Sequence, residues 1–565
     1  MNIRLIINGY DKQAELLRRK ISERIPAEFT VTGRLSIALT VDPAIGAPES
    51  YEIRAEGDVY TVTGTDELGL YHGIGKFLHT AKWTDEDFAP NPPKGVVEPD
   101  CSFRVMYFSV HNYNWYHLAP TEELESYLED MILWGYNGIH CIVPVMNITE
   151  LGDEVFRDGV ERARRLFTLA RKVGLKVSLG INPNQGLLGS PHEFDAKQDA
   201  IRWKNGRNLC GSNPAAVEHL REIWRAKFER FTDIGIDYII TWPYDEGGCC
   251  CDECWPWGAK KFCDLSLAVR EEARKYFPDV KMIACTWCFD VLLREGETEH
   301  HEYDGFYKRL DGGDMSCFDY IMVDSHTEYP EYVLTHDAVK PIVNFPEISM
   351  WGLYPWGGFG ANPLPKRFQA IWDSSKQVLM GGMPYSEGIY EDILKIQFAG
   401  YYWDKNRNYK DILSEYINYE YRSSDFDKII EMMELIEENH VAVDEKRAPN
   451  LEAAKRAKEI AEEINEKLTP KAKACWRWRI LYIRPILDLK RYEFYAAKGL
   501  AGEDGKFLMK RRSGHFLKKD AEAQAMMREL SELYCCVDYN GQNRWTHPPV
   551  DGGAPEDACS IVFDD

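Results

Sequence analysis

The sequence lacks several features that would place it in a large class of proteins. No apolar run approaches the roughly 20 residues that a transmembrane helix needs. The apolar run within the first ten residues is too short for a signal peptide, and no small-residue cleavage site follows it, so we expect a cytoplasmic protein. Internal repeats and low-complexity blocks are absent. These absences argue against a membrane protein and against a repeat architecture.

Positive charge is also in short supply. Lysine and arginine total 68 against 91 acidic residues, which leaves a net charge of -23. Such a chain repels nucleic acid and anionic lipid, so we expect no nucleic-acid and no membrane partner. The 15 cysteines are an odd number in a long chain without an export signal, which favours free thiols in a reducing compartment over a disulfide framework.

The central part of the chain alternates short apolar strands with amphipathic helices, the pattern of βα units. Eight strands are predicted, at Arg104–Val110, Gly138–Val145, Lys176–Ile181, Asp237–Thr241, Lys281–Thr286, Phe318–Val323, Pro341–Phe345 and Val378–Gly381. Their number and spacing predict an α/β fold, a (β/α)8 TIM barrel over residues 100–405. A doubly wound open sheet is the alternative, but no phosphate-cradling glycine fingerprint follows the first strand.

Two further domains are expected, because 565 residues exceed one ordinary core. Residues 1–90 predict an α+β accessory domain, and a proline-rich linker follows it. The helical pattern of residues 406–565 predicts a C-terminal α-helical domain, in which Pro485 kinks or splits the helix predicted at Lys471–Ala497. Between the barrel strands, helices are predicted at Thr121–Leu133, Glu154–Val173, Ala215–Thr232 and Gly258–Phe277. The other predicted elements are strands at Arg34–Val41, Tyr51–Ala55 and Val59–Gly64 and helices at Leu70–Thr80, Ile412–Glu420, Asp425–Glu438, Leu451–Lys467 and Ala521–Tyr534.

The most informative stretch runs from residue 235 to residue 249. A buried strand stops at Pro243, and Tyr244, Asp245, Glu246 and two glycines follow. Adjacent carboxylates at the carboxyl end of a strand, next to permissive glycines, are typical of the catalytic mouth of a barrel. The alternative is a solvated turn, but the aromatic neighbours Trp242 and Tyr244 favour the catalytic interpretation.

Polar and aromatic residues follow most of the other predicted strands. They are His111, Asn112 and Asn114 after the first, Asn182 and Asn184 after the third, Trp287 and Asp290 after the fifth, Asp324 and His326 after the sixth, Glu347 and Trp351 after the seventh, and Tyr385 and Glu387 after the eighth. Carboxylates can protonate a leaving oxygen, amides bind hydroxyls, and aromatic rings stack on sugars. The set predicts a small oligosaccharide or glycoside as substrate, although Asn184 and Asp290 also fit as helix caps.

The segment from Phe103 to His111, and the helix that ends at Leu133-Trp-Gly-Tyr-Asn-Gly-Ile-His, resemble the start of glycoside hydrolase family 20, the β-N-acetylhexosaminidases. The resemblance implies that Arg104 binds sugar hydroxyls, that Asp245-Glu246 is the family's acidic pair, and that Glu387 is its sugar-binding acid. The match departs from the family where Thr241-Trp-Pro-Tyr replaces the usual His-x-Gly-Gly. The α-glucuronidase families share a similar accessory domain and barrel, so the substrate class stays open.

In the mechanism that this resemblance implies, Glu246 is the general acid/base and Asp245 orients the acetamido group of a terminal β-linked N-acetylhexosamine, GlcNAc or GalNAc. The enzyme then acts on chain ends without a cofactor for catalysis. The residues expected to bind substrate are Arg104, His111, Asn112, Tyr244, Trp287, Asp324, Glu347, Trp351, Tyr385 and Glu387. A homodimer is an assembly state to be considered.

Three alternatives stay open. One is a glycosidase for another sugar, such as a uronic acid, with Glu347 or Glu387 as nucleophile. Another is a carbohydrate-binding barrel without catalysis. The third is a zinc-dependent hydrolase, which would need a catalytic metal with an open coordination position.

A cluster of cysteines follows the acidic pair. Cys251 and Cys254 have chelating spacing, and Cys249 or Cys250 adds a third thiolate. We expect Cys249, Cys251 and Cys254 to hold a structural zinc. The predicted sources of a fourth ligand are Cys263, Cys285 and Cys288. The alternatives are buried reduced thiols that pack the loop and, more remotely, a redox motif.

Overall fold

The protein is described by a computed structural model that covers residues 1–7, 9–110, 115–143, 145, 148–198, 207–243, 248–291, 293–294, 297–298, 301–324, 331–349, 361–386, 388–440, 449–497 and 520–535. Parallel strands pair side by side around a ring, and the first strand pairs with both the second and the eighth. The predicted eight-stranded (β/α)8 barrel is therefore confirmed.

The barrel strands agree with their predicted bounds to within three residues. They are Phe103–Phe108, Gly138–Ile142, Lys176–Ile181, Tyr238–Thr241, Lys281–Cys285, Tyr320–Asp324, Ile342–Phe345 and Leu379–Gly382, the last extended by Tyr385–Ser386. The helices around and between them are Trp115–Leu118, Thr121–Leu133, Glu154–Val173, Pro214–Glu229, Lys261–Tyr276, Glu302–Leu310, Glu331–Thr335, Pro365–Ser375 and Asp392–Trp403. Local signals set these helices: the Asn213 side chain, for example, accepts hydrogen bonds from the backbone of Ala215 and Ala216 and so caps the helix that begins at Pro214.

Side chains alternate between the inside and the outside of the barrel along each strand. In the first strand, the Phe103 ring lies 5.2 Å from the ring of Tyr238 and 5.6 Å from that of Tyr320. Those residues belong to the fourth and sixth strands, so Phe103 points into the barrel interior. Its neighbour Arg104 therefore points outward.

The N-terminal domain is a mixed sheet of six strands with two helices. Its strands are Asn2–Ile7, Glu28–Phe29, Leu35–Val41, Tyr51–Glu56, Val59–Gly64 and Val96–Val97, and its helices are Asp11–Arg24 and Glu67–His79. The first strand and the first helix were not predicted. The strand lies between Glu28–Phe29 and Leu35–Val41, so its apolar residues serve as an inner strand of this sheet.

The accessory domain packs closely on the barrel. At Gly75, in the helix Glu67–His79, an added Cβ would lie 1.9 Å from the carbonyl oxygen of Leu133 in the helix Thr121–Leu133. Glu49 reaches the bottom of the barrel, where it pairs with Arg104 at 2.6 Å and with Lys176 at 3.1 Å. A glycine contact and a buried ion pair thus hold the two domains together.

The C-terminal region is helical, as predicted. Its helices are Tyr409–Tyr416, Phe426–Glu438, Leu451–Lys467, Pro470–Lys473, Trp476–Ala497 and Ala521–Cys535, and a π-helical turn covers Ile417–Tyr421. The helix Trp476–Ala497 continues through Pro485, and the break in the predicted helix falls earlier, just before Trp476. Arg477 binds Asp392 and Asp130, each at 2.8 Å, and so ties this region to the barrel. Within the described residues, no helix has the length and apolar character needed to cross a membrane.

Candidate active site

The inward-facing side chains form an aromatic floor at the carboxyl ends of the barrel strands. The ring of Tyr107 lies 4.8 Å from that of Tyr385 and 6.0 Å from that of Trp242. Phe345 lies 4.6 Å from Trp242 and 6.1 Å from Trp287, and all five residues are buried. Rings from five strands therefore make a rigid apolar base of the kind that packs against the C–H face of a sugar.

Four of the residues predicted to bind substrate meet at this floor. Trp287 and Tyr385 belong to it directly. Asp324 continues the inward series of the sixth strand and lies beside Phe345 in the sheet register. Glu347 continues the inward series of the seventh strand and forms a parallel bridge with Tyr385. Aromatic rings and two carboxyl groups are thus brought together at the carboxyl-terminal end of the barrel, where barrel enzymes have their active sites.

Glu347 is held in one orientation by its own loop. Its Oε1 accepts a hydrogen bond from the backbone N–H of Ser349 at 2.7 Å and another from the Ser349 hydroxyl at 3.0 Å. Glu347 is only 6% exposed. Two donors aimed at one oxygen restrict the rotation of the carboxyl group, so the side chain is suited to a role that requires a fixed position.

Amide groups lie after the third strand, as the sequence predicted for Asn182 and Asn184. Both residues are buried, and within the described part of the chain Asn182 Oδ1 and Asn184 Nδ2 have no hydrogen-bond partner. The same is true of Nε2 of Gln185. A buried polar group without a partner costs about 1–3 kcal/mol, so these amides are suited to bind water or the hydroxyls of a ligand.

Several residues of the site were missed by the sequence analysis. Tyr107 and Phe345 complete the floor, and the Ser109 hydroxyl lies 3.1 Å from the Tyr385 hydroxyl. The alternation of the first strand could have indicated Tyr107 and Ser109, because both share the inward parity of Phe103. His140 also lies in the barrel interior, against the Tyr107 ring, with Nδ1 at 2.8 Å from the Ser178 hydroxyl.

The predicted catalytic pair, Asp245 and Glu246, lies outside the described residues. So do five residues predicted to bind substrate, which are His111, Asn112, Tyr244, Trp351 and Glu387. The chain is described again at Gly248, which has a φ of +96° and lies against Trp257 so closely that a Cβ would be 2.1 Å from its ring. Only glycine fits that position, which fixes the backbone two residues after Glu246.

The placement of Arg104 corrects the expectation that it binds sugar hydroxyls. It is fully buried on the outer face of the first strand, toward the accessory domain. Its guanidinium donates to the carbonyl oxygens of Gly135 at 2.7 Å and Cys101 at 2.6 Å and to the carboxylate of Glu49. Burial opposes the ionisation of Glu49, but Arg104 and Lys176 outweigh it and lower the pKa of Glu49 to about 2. Arg104 therefore joins two domains.

The three predicted metal ligands, Cys249, Cys251 and Cys254, lie together, and the fourth member of the cluster is Cys210. The four sulfur atoms all lie within 4.8 Å of one another. The predicted fourth ligands are elsewhere: the Cys263 thiol donates to the carbonyl oxygen of Gly258, and Cys285 and Cys288 belong to the barrel interior. Cys210 was missed because it is 39 residues before Cys249 and only the fold brings the two together.

Known proteins match this chain in structure but not in sequence. No protein-family model matches the chain, and no curated protein matches it. The family 89 glycoside hydrolase from Clostridium perfringens, in complex with GlcNAc-α-1,4-galactose, matches with a TM-score of 0.60 and 12% identity, over 98% of this chain and 72% of that one. A family GH115 4-O-methyl-α-glucuronidase specific for decorated arabinogalactans matches with a TM-score of 0.59 and 11% identity, over 100% and 78%.

Another match is a GH138 enzyme that targets pectin rhamnogalacturonan II, with a TM-score of 0.56 and 12% identity over 94% of this chain and 72% of that one. Enzymes of families 84 and 20 are also among the matches, so family 20 is one of several. At these identities the likeness shows the fold. The chain has the barrel architecture that glycoside hydrolases of several families share.

Proposed function

We propose that the protein is an exo-acting glycoside hydrolase with Glu246 as general acid/base. The observation that carries the proposal is the mouth of the barrel, where Asp324 and Glu347 stand at the rim of the buried aromatic floor. An oxocarbenium-like transition state needs nearby carboxylates, and a pyranose ring needs an apolar face to stack on. The shared fold with several families of glycoside hydrolases supports the same reaction class.

We propose a terminal N-acetylhexosamine, a neutral sugar, as the substrate. The described inward-facing residues at the carboxyl ends of the strands include two carboxylates and neither lysine nor arginine. They include Tyr107, Ser109, Ile142, Asn182, Trp242, Cys285, Trp287, Cys288, Asp324, Phe345, Glu347, Met383 and Tyr385. A uronate would be repelled by these carboxylates in a site of low dielectric constant. The β-linkage is the first choice, and the α-linkage of the sugar bound to the family 89 enzyme is the second.

Two assignments of the second catalytic group follow from this chemistry. In the first, Asp245 orients the acetamido group of the substrate, whose carbonyl oxygen attacks the anomeric carbon. In the second, the carboxylate of Glu347 attacks and forms a glycosyl-enzyme, which water then hydrolyses with Glu246 as base. The hydrogen bonds from Ser349 favour the second assignment, because they hold the carboxyl group of Glu347 in one position.

A panel of p-nitrophenyl glycosides tests the proposal. We expect turnover of an N-acetylhexosaminide and a fall of about 10²- to 10⁴-fold in Glu246→Gln, the size of a general acid/base contribution. Glu347→Ala that regains activity with azide, with a glycosyl azide as product, would identify Glu347 as the nucleophile. Recovery of activity by azide in Asp245→Ala, without recovery in Glu347→Ala, would not identify Glu347 as the nucleophile. Turnover of glucuronides only would contradict the proposed substrate, and binding of sugars without turnover would favour a non-catalytic barrel.

A further inference from the structure

We propose that Cys210, Cys249, Cys251 and Cys254 bind one structural zinc ion, which fastens the loop after the third barrel strand to the loop after the fourth. The Cys210 sulfur lies 3.6 Å from that of Cys249 and 3.8 Å from those of Cys251 and Cys254. Four sulfur ligands in a tetrahedron, each about 2.3 Å from zinc, lie about 3.8 Å apart. The separations from Cys210 are therefore those of a zinc tetrathiolate, and the remaining sulfur–sulfur separations are at most 4.8 Å.

Other arrangements of four cysteines fit these distances less well. A disulfide would bring two sulfur atoms to about 2.05 Å, much closer than the 3.6–3.8 Å between Cys210 and each of the other three, and all four cysteines are free. Buried reduced thiols that merely fill space have no reason to converge four at a time on a common centre. The hydroxyl of Ser212 lies 3.0 Å from the Cys210 sulfur and 3.4 Å from the Cys251 sulfur, where it can donate to a metal-bound thiolate.

The site is structural and not catalytic. Four thiolates fill the tetrahedral shell of zinc and leave no position for water or substrate. Cys249 and Cys254 are buried in the outer hydrophobic core of the molecule, whereas the aromatic floor belongs to the separate core inside the barrel. Cys210 and Cys251 are half-buried, which gives the metal a path to the site.

The position of the cluster indicates what it does, and this part of the inference depends on the proposed function. Cys249 comes three residues after Glu246, and the N–H of its neighbour Cys250 donates to the carbonyl oxygen of Lys197 at 2.7 Å. On the other loop, the N–H of Leu209 donates to the carbonyl oxygen of Asn184 at 2.8 Å. Zinc therefore restrains the chain beside the proposed acid and the chain beside the proposed amide ligands.

Metal analysis tests the site without reference to activity. We expect wild-type protein from zinc-supplemented medium to contain one zinc per chain, and Cys210→Ser and Cys254→Ser to have lost it. Cys317→Ser is the matched control, because Cys317 is also half-buried but donates to the carbonyl oxygen of Asp314, away from the cluster. Should the cluster variants fail to fold, cobalt substitution of the wild type provides a second test, with the intense d–d bands of tetrahedral cobalt thiolate expected.

The outcomes separate the parts of the inference. Wild-type protein in which the four cluster thiols react with a thiol reagent and no metal is bound would overturn the proposed metal site. One iron per chain in place of zinc would overturn the assignment of the metal. Removal of zinc by a chelator should lower kcat on the best glycoside by roughly a hundredfold, the cost of misplacing a catalytic group by about 1 Å. Unchanged kcat would overturn the restraint on Glu246. Full zinc content without turnover of any glycoside would contradict the proposed function and leave the metal site standing.

Discussion

Replacement of Arg104 by methionine distinguishes a residue that joins two domains from one that binds sugar. Arg104 is fully buried, and Arg104→Met would leave the buried carboxylate of Glu49 with Lys176 and Asn137 as its remaining partners. Loss of one member of a buried ion pair costs about 3–5 kcal/mol, because the other charge stays buried. We expect urea unfolding followed by tryptophan fluorescence to show a loss of this size.

The matched control is Arg34→Met. Arg34 also pairs with an acid, Asp87 at 2.5 Å, but the two side chains are 63% and 41% exposed. Exposed pairs contribute about 0–1 kcal/mol, so this variant should unfold almost like the wild type. Below its unfolding transition, Arg104→Met should retain the KM of the wild type on the best glycoside. A raised KM with unchanged stability would refute the structural interpretation and restore Arg104 as a substrate ligand.

The pH dependence of stability provides an independent check on the same contact. The pKa of Glu49 is lowered from 4.5 to about 2 in the folded protein, against burial, by Arg104 and Lys176. A lowered carboxyl pKa stabilises the fold above pH 4.5, and this contribution is lost as the pH falls from 4.5 toward 2. Its size is about 3 kcal/mol. Glu49→Gln should therefore lose stability at pH 7 and show a shallower decline in acid than the wild type.

Three further substitutions test other contacts. Gly248→Ala should lower kcat at least tenfold, because the new Cβ would meet the Trp257 ring and displace the chain next to Glu246. A variant with the kcat of the wild type would show that the backbone at residue 248 is not fixed by this contact. Gly75→Ala should lower the free energy of unfolding by about 1–3 kcal/mol in urea, because its Cβ would meet the Leu133 carbonyl oxygen. An unchanged free energy of unfolding would show that the helices Glu67–His79 and Thr121–Leu133 can move apart at little cost. Burial lowers the pKa of Lys227 to about 7, so stability should rise as the pH rises from 7 toward 10.5. Lys227→Met should then stabilise the protein by about 1–3 kcal/mol at pH 7, and a lower apparent Tm would show that the ammonium group has a stabilising partner.

The sequence by itself determined the class of the fold and the edge of the barrel at which the site lies. Hydrophobic periodicity and capping signals are local, so the helices Thr121–Leu133 and Glu154–Val173 and the strand Lys176–Ile181 were predicted to the residue. The order of the strands then places Glu347 and Tyr385 at the same end of a parallel barrel. These conclusions need no knowledge of which distant residues touch.

Only the tertiary structure decided which way side chains face and which distant segments meet. Arg104 and Tyr107 lie on one short strand, yet one binds the accessory domain and the other belongs to the aromatic floor, because successive side chains point to opposite faces. Cys210 lies near Cys249 because the loop after the third barrel strand and the loop after the fourth meet beside the barrel. The direction of a side chain depends on the register of its strand, and the meeting of distant loops depends on closure of the barrel. Both are set by contacts between residues that are far apart in the chain.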